Sequence, residues 1–268
     1  MAARNVKTTV QERHVVPHWS DPIRIVPLYL PEELTRNLPH AGAAGAPKLT
    51  YRGGPLMTGV KVFTIFWGPA WEKAQAAVAT YINDFFTAIL TSSLIDELGE
   101  YSTPPYTIGH GSHIGTINVN TPAPGKSISD AAIRHMLQQN AATNPAFPQP
   151  DANTLYFVYT PPGSAIVQGG SRSCQAFCGY HDNISGQLFY AAMPFPNCHG
   201  CTGGLTVEDA LTSTSSHELC EAITDPIPGQ GWYDDTNGEI GDICAWKTKK
   251  IGQWTVQLEW SNKRGKCI

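Results

Sequence analysis

Charge is scarce in this 268-residue sequence: Asp, Glu, Lys and Arg make up 15% of it, against roughly 25% in an average soluble domain. Hydrophobic residues reach 41%, and that balance excludes intrinsic disorder, which needs the reverse. A basic excess is absent too. Eighteen Lys and Arg face 22 Asp and Glu, a net charge of −4, so nothing marks a nucleic-acid partner. No uncharged apolar run approaches the ~18 residues of a membrane span. The first 30 residues hold no apolar core of a secretory signal, because Arg4, Lys7, Glu12, Arg13, Asp21 and Arg24 interrupt it. Nucleophile elbow, P-loop, dinucleotide fingerprint and internal repeat are all missing.

Proline and glycine, by contrast, are plentiful, at 21 and 25 residues. Residues 1–50 carry Pro17, Pro22, Pro27, Pro31, Pro39 and Pro47 and read as a Pro-rich arm, a pro-segment across the body or a flexible leader. Residues 51–268 read as a single main α/β domain. Val60–Trp67 is a near-continuous apolar run of β-branched and aromatic residues, as in a buried strand. Trp71–Leu98 keeps a helical stripe through Ala74, Ala77, Val78, Tyr81, Ile82, Phe85 and Ile89. Strands are expected over His113–Asn120, Thr154–Thr160 and Gln187–Met193. Helices are expected over Ser129–Gln139, opened by Ser129 or Asp130, and over Thr206–Ile223, capped by Thr206. That order argues a mixed sheet flanked by helices, with an irregular C-terminal region.

Cysteine is missing from the first 173 residues, and all seven lie between 174 and 267. Cys174/Cys178 and Cys198/Cys201 fit either a zinc knot of four thiolates or two local disulfides. Cys244–Cys267 reads as a further bridge, with Cys220 the odd thiol inside a helix. This usage favours an oxidising, extracellular compartment, although no signal peptide is visible in this chain.

The chemistry-bearing stretch is Ser215-Ser-His217-Glu218-Leu-Cys-Glu221-Ala-Ile-Thr-Asp225-Pro. On a helix, His217 and Glu221 stand at i and i+4 and project from one face, a spacing that suits two ligands on one metal ion. Glu218 is rotated by about 100° and can reach a water beside that ion without ligating it. Further on comes Tyr233-Asp234-Asp235-Thr-Asn237-Gly238-Glu239-Ile-Gly-Asp242. Oxygens at 235, 237 and 239 alternate as in a calcium loop, so a hard cation there is a rival reading. The dull reading of His217/Glu221 is an ordinary i,i+4 ion pair.

Taken in order, His-Glu-Leu-x-Glu-Ala-Ile-Thr-Asp, Tyr233, the Asn-Gly turn, Glu239 and Asp242 resemble the active segment of thermolysin-like metallopeptidases, the gluzincins. The resemblance covers about a tenth of the chain and implies a zincin-like fold and a metal-dependent hydrolase acting on a peptide or protein substrate. It implies zinc on His217, Glu221 and Glu239, with Glu218 as general base. Tyr233 would then donate to the oxyanion and Asp242 orient His217. A Glu replaces the family's second His, which lowers the ion's Lewis acidity and favours a harder metal such as manganese or calcium. It also fits a relative whose site has lost activity. The Glu239–Asp242 spacing is one residue shorter than the family's.

A wider resemblance, over some 200 residues, is to the plant phosphate-induced proteins of EXORDIUM type. Gly53-Gly-Pro-Leu-Met-Thr-Gly59, Tyr101-Ser-Thr-Pro-Pro-Tyr106, Ala176-Phe-Cys-Gly-Tyr-His181, the Cys198/Cys201 pair and Thr224-Asp-Pro carry it. It implies secretion, disulfides and a non-enzymatic binding or cell-surface role, with calcium held by the carboxylates or no ion at all. His110 and His113 read as surface histidines of a loop, and His181 and His199 as structural neighbours of the cysteines. Asn183-Ile-Ser185 is a glycosylation sequon. Among the aromatics, Trp232 and Trp246 are placed to flank a cleft.

Overall fold

The computed structural model describes residues 25–30 and 46–268. Its main sheet has six strands: β1 Ile25–Pro27, β2 Lys61–Trp67, β3 Ser112–Val119, β4 Thr154–Tyr159, β5 Phe177–Ile184 and β6 Leu188–Met193. Their spatial order is β1-β5-β6-β4-β2-β3. The four from β6 to β3 run parallel, while β5 lies antiparallel to both β6 and β1. The sheet is therefore mixed, as the alternation of elements predicts.

Burial on both faces follows from the pleat. Along β2, Val62 and Phe66 enter one core while Phe63, Ile65 and Trp67 enter the other. The first core is covered by helices α1 Ala76–Ile89 and α3 Val207–Thr224, the second by α2 Asp130–Thr143 through Ile133, Met136 and Leu137. The expected caps are in place. Ser129 Oγ accepts from Ala132 N at 3.2 Å, and Thr206 Oγ1 from Asp209 N at 3.1 Å.

The single helix expected over Trp71–Leu98 is broken. A 3-10 turn covers Pro69–Glu72, α1 follows, and a separate helix spans Ser93–Leu98 after a bend of 54°. Ser92 makes the break: its hydroxyl donates to Ile89 O at 2.7 Å and accepts from Leu94 N at 3.2 Å, closing one helix and capping the next. Strand β5 is not announced by the pattern, because Gly179, Asp182 and Asn183 are poor strand formers. Ser185 and Gly186, both at positive φ, turn the chain so that Ile184 pairs with Leu188.

Helix α3 is buried on every side from Ala210 to Thr224, yet it is rich in Ser and Thr. Small hydroxyl residues permit close packing between the sheet and the strand Trp254–Gln257, and the hydroxyls of Thr212, Ser215, Ser216 and Thr224 find partners. Thr212 Oγ1 donates to Thr255 O at 2.8 Å, Ser216 Oγ accepts from Gln257 N at 2.9 Å, and Ser215 Oγ pairs with the Tyr159 hydroxyl at 2.7 Å.

The cysteines form three disulfides, Cys174–Cys198, Cys178–Cys201 and Cys244–Cys267. The last is the expected bridge. The first two bear out disulfides in place of a four-thiolate knot, and each cysteine of the first pair crosses to the second rather than closing on its neighbour. Cys220 is free and buried. No single helix among the described residues is long and apolar enough to cross a membrane.

Part of the expected arm lies on the body. β1 occupies the outer edge of β5, Tyr29 N donates to Gly200 O at 2.7 Å, and Trp246 Nε1 donates to Pro27 O at 2.9 Å. Trp246 thus packs the arm segment with Tyr29, while Trp232 packs on Tyr51 and Tyr101. Pro17, Pro22, Pro31 and Pro39 lie outside the described residues.

Candidate metal centre

The last turns of α3 carry His217, Glu218 and Glu221 inward, and all three are 0% exposed. Asp225 ends the helix. Its carboxylate accepts backbone N–H groups of Gly229, Gln230 and Gly231 at 2.6, 3.0 and 2.5 Å, which folds the loop after Pro226 back on the helix. The chain then pairs Trp232–Tyr233 with Thr50–Tyr51 and turns through Asp234 to Gly238. Asp234 Oδ1 takes up the N–H groups of Thr236 and Asn237. That turn delivers Glu239 and Asp242 to the helix. Glu239 is 0% exposed, and Asp242 N donates to Glu221 Oε1 at 3.1 Å. Asp235 instead points outward, 90% exposed and paired with Arg52 at 2.6 Å, so it and Glu239 face different surroundings.

A further residue completes the cluster. His181, on β5, is fully buried with Nδ1 at 3.2 Å from Glu218 Oε2 and 3.5 Å from Glu221 Oε2. Its Nε2 lies 3.1 Å from Asp225 O and 3.5 Å from Glu239 Oε1. Nε2 donates to that carbonyl, so Nδ1 is the nitrogen that faces the carboxylates. His217 Nε2 lies 2.9 Å from Glu221 Oε1 and 3.9 Å from Asp242 Oδ1. Asp242 therefore stands on the Nε2 side of His217. Tyr233 is buried with its ring under the Arg52 guanidinium, 4.5 Å to the centroid.

The expected ligands His217, Glu221 and Glu239 thus fall into two overlapping groups that share Glu221: His217, Glu221, Asp242 and His181, Glu221, Glu239. In sequence His181 reads as a structural neighbour of the cysteines, and alternation along β5 is the signal that turns it toward α3 instead. His110 and His113 do not share a site. His110 pairs with Asp96 at 2.8 Å, and half-buried His113 sits against Thr64 and Thr87. Asn183 stands at the end of β5, before the hairpin turn.

Electrostatically the cluster is out of balance. Glu218, Glu221, Glu239 and Asp242 gather four carboxylates, with buried Asp225 and Glu259 beside them, against two imidazoles, all away from water. Burial, then Glu221, Asp225 and Asp242, pushes Glu239 well above the usual carboxylate range, and burial with Glu221 does the same to Asp242. Burial opposes the charge on His181, but the carboxylates of Glu218 and Glu221 beside it outweigh burial and push the imidazole up to about 10. Glu221, between the two histidines, is held down to about 2 despite its burial. Glu218 Oε1, Glu221 Oε2, both Glu239 oxygens and Asp242 Oδ1 have no hydrogen-bond partner among the described residues. Buried carboxylate oxygens without donors are costly, and a divalent cation would satisfy them. Hard oxygen donors with two imidazoles suit zinc or manganese.

Glycines make room for the cluster. A Cβ on Gly241 would lie 2.7 Å from His217 Nδ1, and one on Gly179 3.1 Å from Glu218 Oε1. Compared with models of known protein families and with curated proteins, the chain matches none.

Proposed function

We propose that the chain is a metal-dependent hydrolase of the extracellular space, a peptidase by its likeness to the gluzincin segment. The observation that carries this reading is the set of unpartnered carboxylate oxygens, with two imidazoles, gathered around the His217–Glu221 turn. His217 and Glu221, and Glu239 in the group that shares Glu221, would hold metal, zinc or manganese by donor type. When bound, the ion would supply a Lewis acid for a peptide carbonyl and for a water. Glu218 is the residue to take and return the proton, because its buried carboxylate stands one residue from His217 in the same helical turn without being one of the three ligands. In this reading Tyr233 donates to the developing oxyanion. The three disulfides support an oxidising compartment.

Glu218→Gln tests the mechanism. It should abolish turnover of peptide substrates while leaving bound metal and fold in place, and a variant that keeps full activity would sink this role.

A second reading rests on complete burial. His181, His217, Glu218, Glu221 and Glu239 are all 0% exposed, which suits an ion held for stability in a secreted binding or cell-surface protein of EXORDIUM type. A broad peptide panel separates the two. Cleavage that disappears in Glu218→Gln supports the hydrolase. No cleavage, together with unfolding on metal removal, supports the binding protein.

A further inference from the structure

Glu221 offers a different oxygen to each histidine. Its Oε1 lies 2.9 Å from His217 Nε2 and its Oε2 3.5 Å from His181 Nδ1. On either side stands one more carboxylate, Asp242 Oδ1 beside His217 and Glu239 Oε1 beside His181. In each three-residue group the ligand atoms lie within 4.8 Å of one another, and the groups have Glu221 alone in common. Both flanking oxygens lack a hydrogen-bond partner, as does Glu221 Oε2. A carboxylate between two imidazoles, with an unpartnered carboxylate oxygen beyond each, has the arrangement of a bridging ligand.

The charge points the same way. One divalent ion against Glu218, Glu221, Glu239 and Asp242 leaves two negative charges buried, unless carboxylates or histidines keep protons. Two divalent ions with neutral imidazoles balance these four carboxylates, as burial favours, and leave Asp225 to the backbone N–H groups of Gly229, Gln230 and Gly231.

We propose that the cluster is a dinuclear centre, with one divalent ion on His181, Glu221 and Glu239, a second on His217, Glu221 and Asp242, and Glu221 bridging them. This deepens the metal reading above and rests on it. His181 and Asp242 become ligands in their own right, and Glu218 is the one carboxylate of the four left free for proton transfer. Sites that hold two ions on shared carboxylates act on acyl and phosphoryl substrates alike.

The test is metal stoichiometry, which needs no substrate. The full chain is stripped with a chelator, then titrated with zinc alone by calorimetry, and the dialysed product is counted by elemental analysis. Two equivalents per chain are expected, falling to one in Glu239→Gln and to one in Asp242→Asn. Manganese-loaded protein should give an exchange-coupled signal in electron paramagnetic resonance. One equivalent in the wild type, or only uncoupled manganese at saturation, overturns the dinuclear centre and leaves the metallohydrolase reading standing. No bound metal at all overturns both. The wild-type count decides even where a variant fails to fold.

Discussion

Gly241→Ala should damage the centre without touching a ligand. The new methyl would lie 2.7 Å from His217 Nδ1, 2.8 Å from Cγ and 2.9 Å from Cε1. Unstrained contact between such atoms begins near 3.5 Å, so ring or backbone must give by about 0.8 Å. Neither has an easy retreat. His217 is fully buried on α3, and the Gly241 carbonyl is tied to Gln257 Nε2 at 2.9 Å. Overpacking of this kind costs about 1–3 kcal/mol, which for a chain of this size lowers Tm by roughly 2–12 °C. Displacing the imidazole should also weaken metal binding about 10–100-fold. Calorimetric titration with zinc and thermal melting of the metal-free protein read the two effects separately. Gly99→Ala is the control: that glycine is helical, at φ −55°, and nothing lies within 4 Å of where its new methyl would sit, so the change should be neutral or stabilising by up to about 1 kcal/mol. If Gly241→Ala binds zinc like the wild type and melts with it, the close approach of residue 241 to His217 is not what holds the ring.

Two further outcomes follow from the scaffold. Cys244 and Cys267 are 23 residues apart, and closing a loop of that length stabilises by about 3 kcal/mol in the chain-entropy account. Replacing both by serine should therefore lower Tm by roughly 6–12 °C, and an unchanged melt would argue against the bridge. Asp209, in the first turn of α3, is held below its ordinary value: burial raises it, but hydrogen bonds from Thr255 and Lys250 lower it more. Being depressed in the folded state, it contributes stability above the unfolded carboxylate value near 3.9, and that contribution is lost as pH falls through its lowered value. Asp209→Asn should thus be less stable than the wild type at neutral pH, with the gap closing in acid. A gap of constant size down to pH 2, well below the ordinary value, would contradict this role.

Much of this is legible in the sequence where one physical signal acts alone. The run Val60–Trp67 could only be buried on both faces, and Thr206 and Ser129 cap where their hydroxyls precede a helical stripe. The i,i+4 spacing of His217 and Glu221 puts both on one helical face, and 2.9 Å separates their polar atoms. Signals in competition are harder to weigh. The apolar stripe from Trp71 onward hides the Ser92 cap, because capping interrupts a helix without breaking its periodicity. The disulfide crossing depends on how β5 and the turn at Cys198–Cys201 come together, which spacing along the chain does not encode. His181 escapes for a similar reason: its neighbours in sequence are cysteines and glycine, while its neighbours in space come from α3 and the turn that delivers Glu239.

The most direct test of the central claim is the metal content of the protein as purified, with none added, beside His217→Ala and Glu221→Gln. A divalent ion bound in the wild type and lost or sharply reduced in both variants is the predicted result. A folded wild-type protein that holds no ion, and whose Tm does not move when zinc or manganese is supplied, would contradict the account.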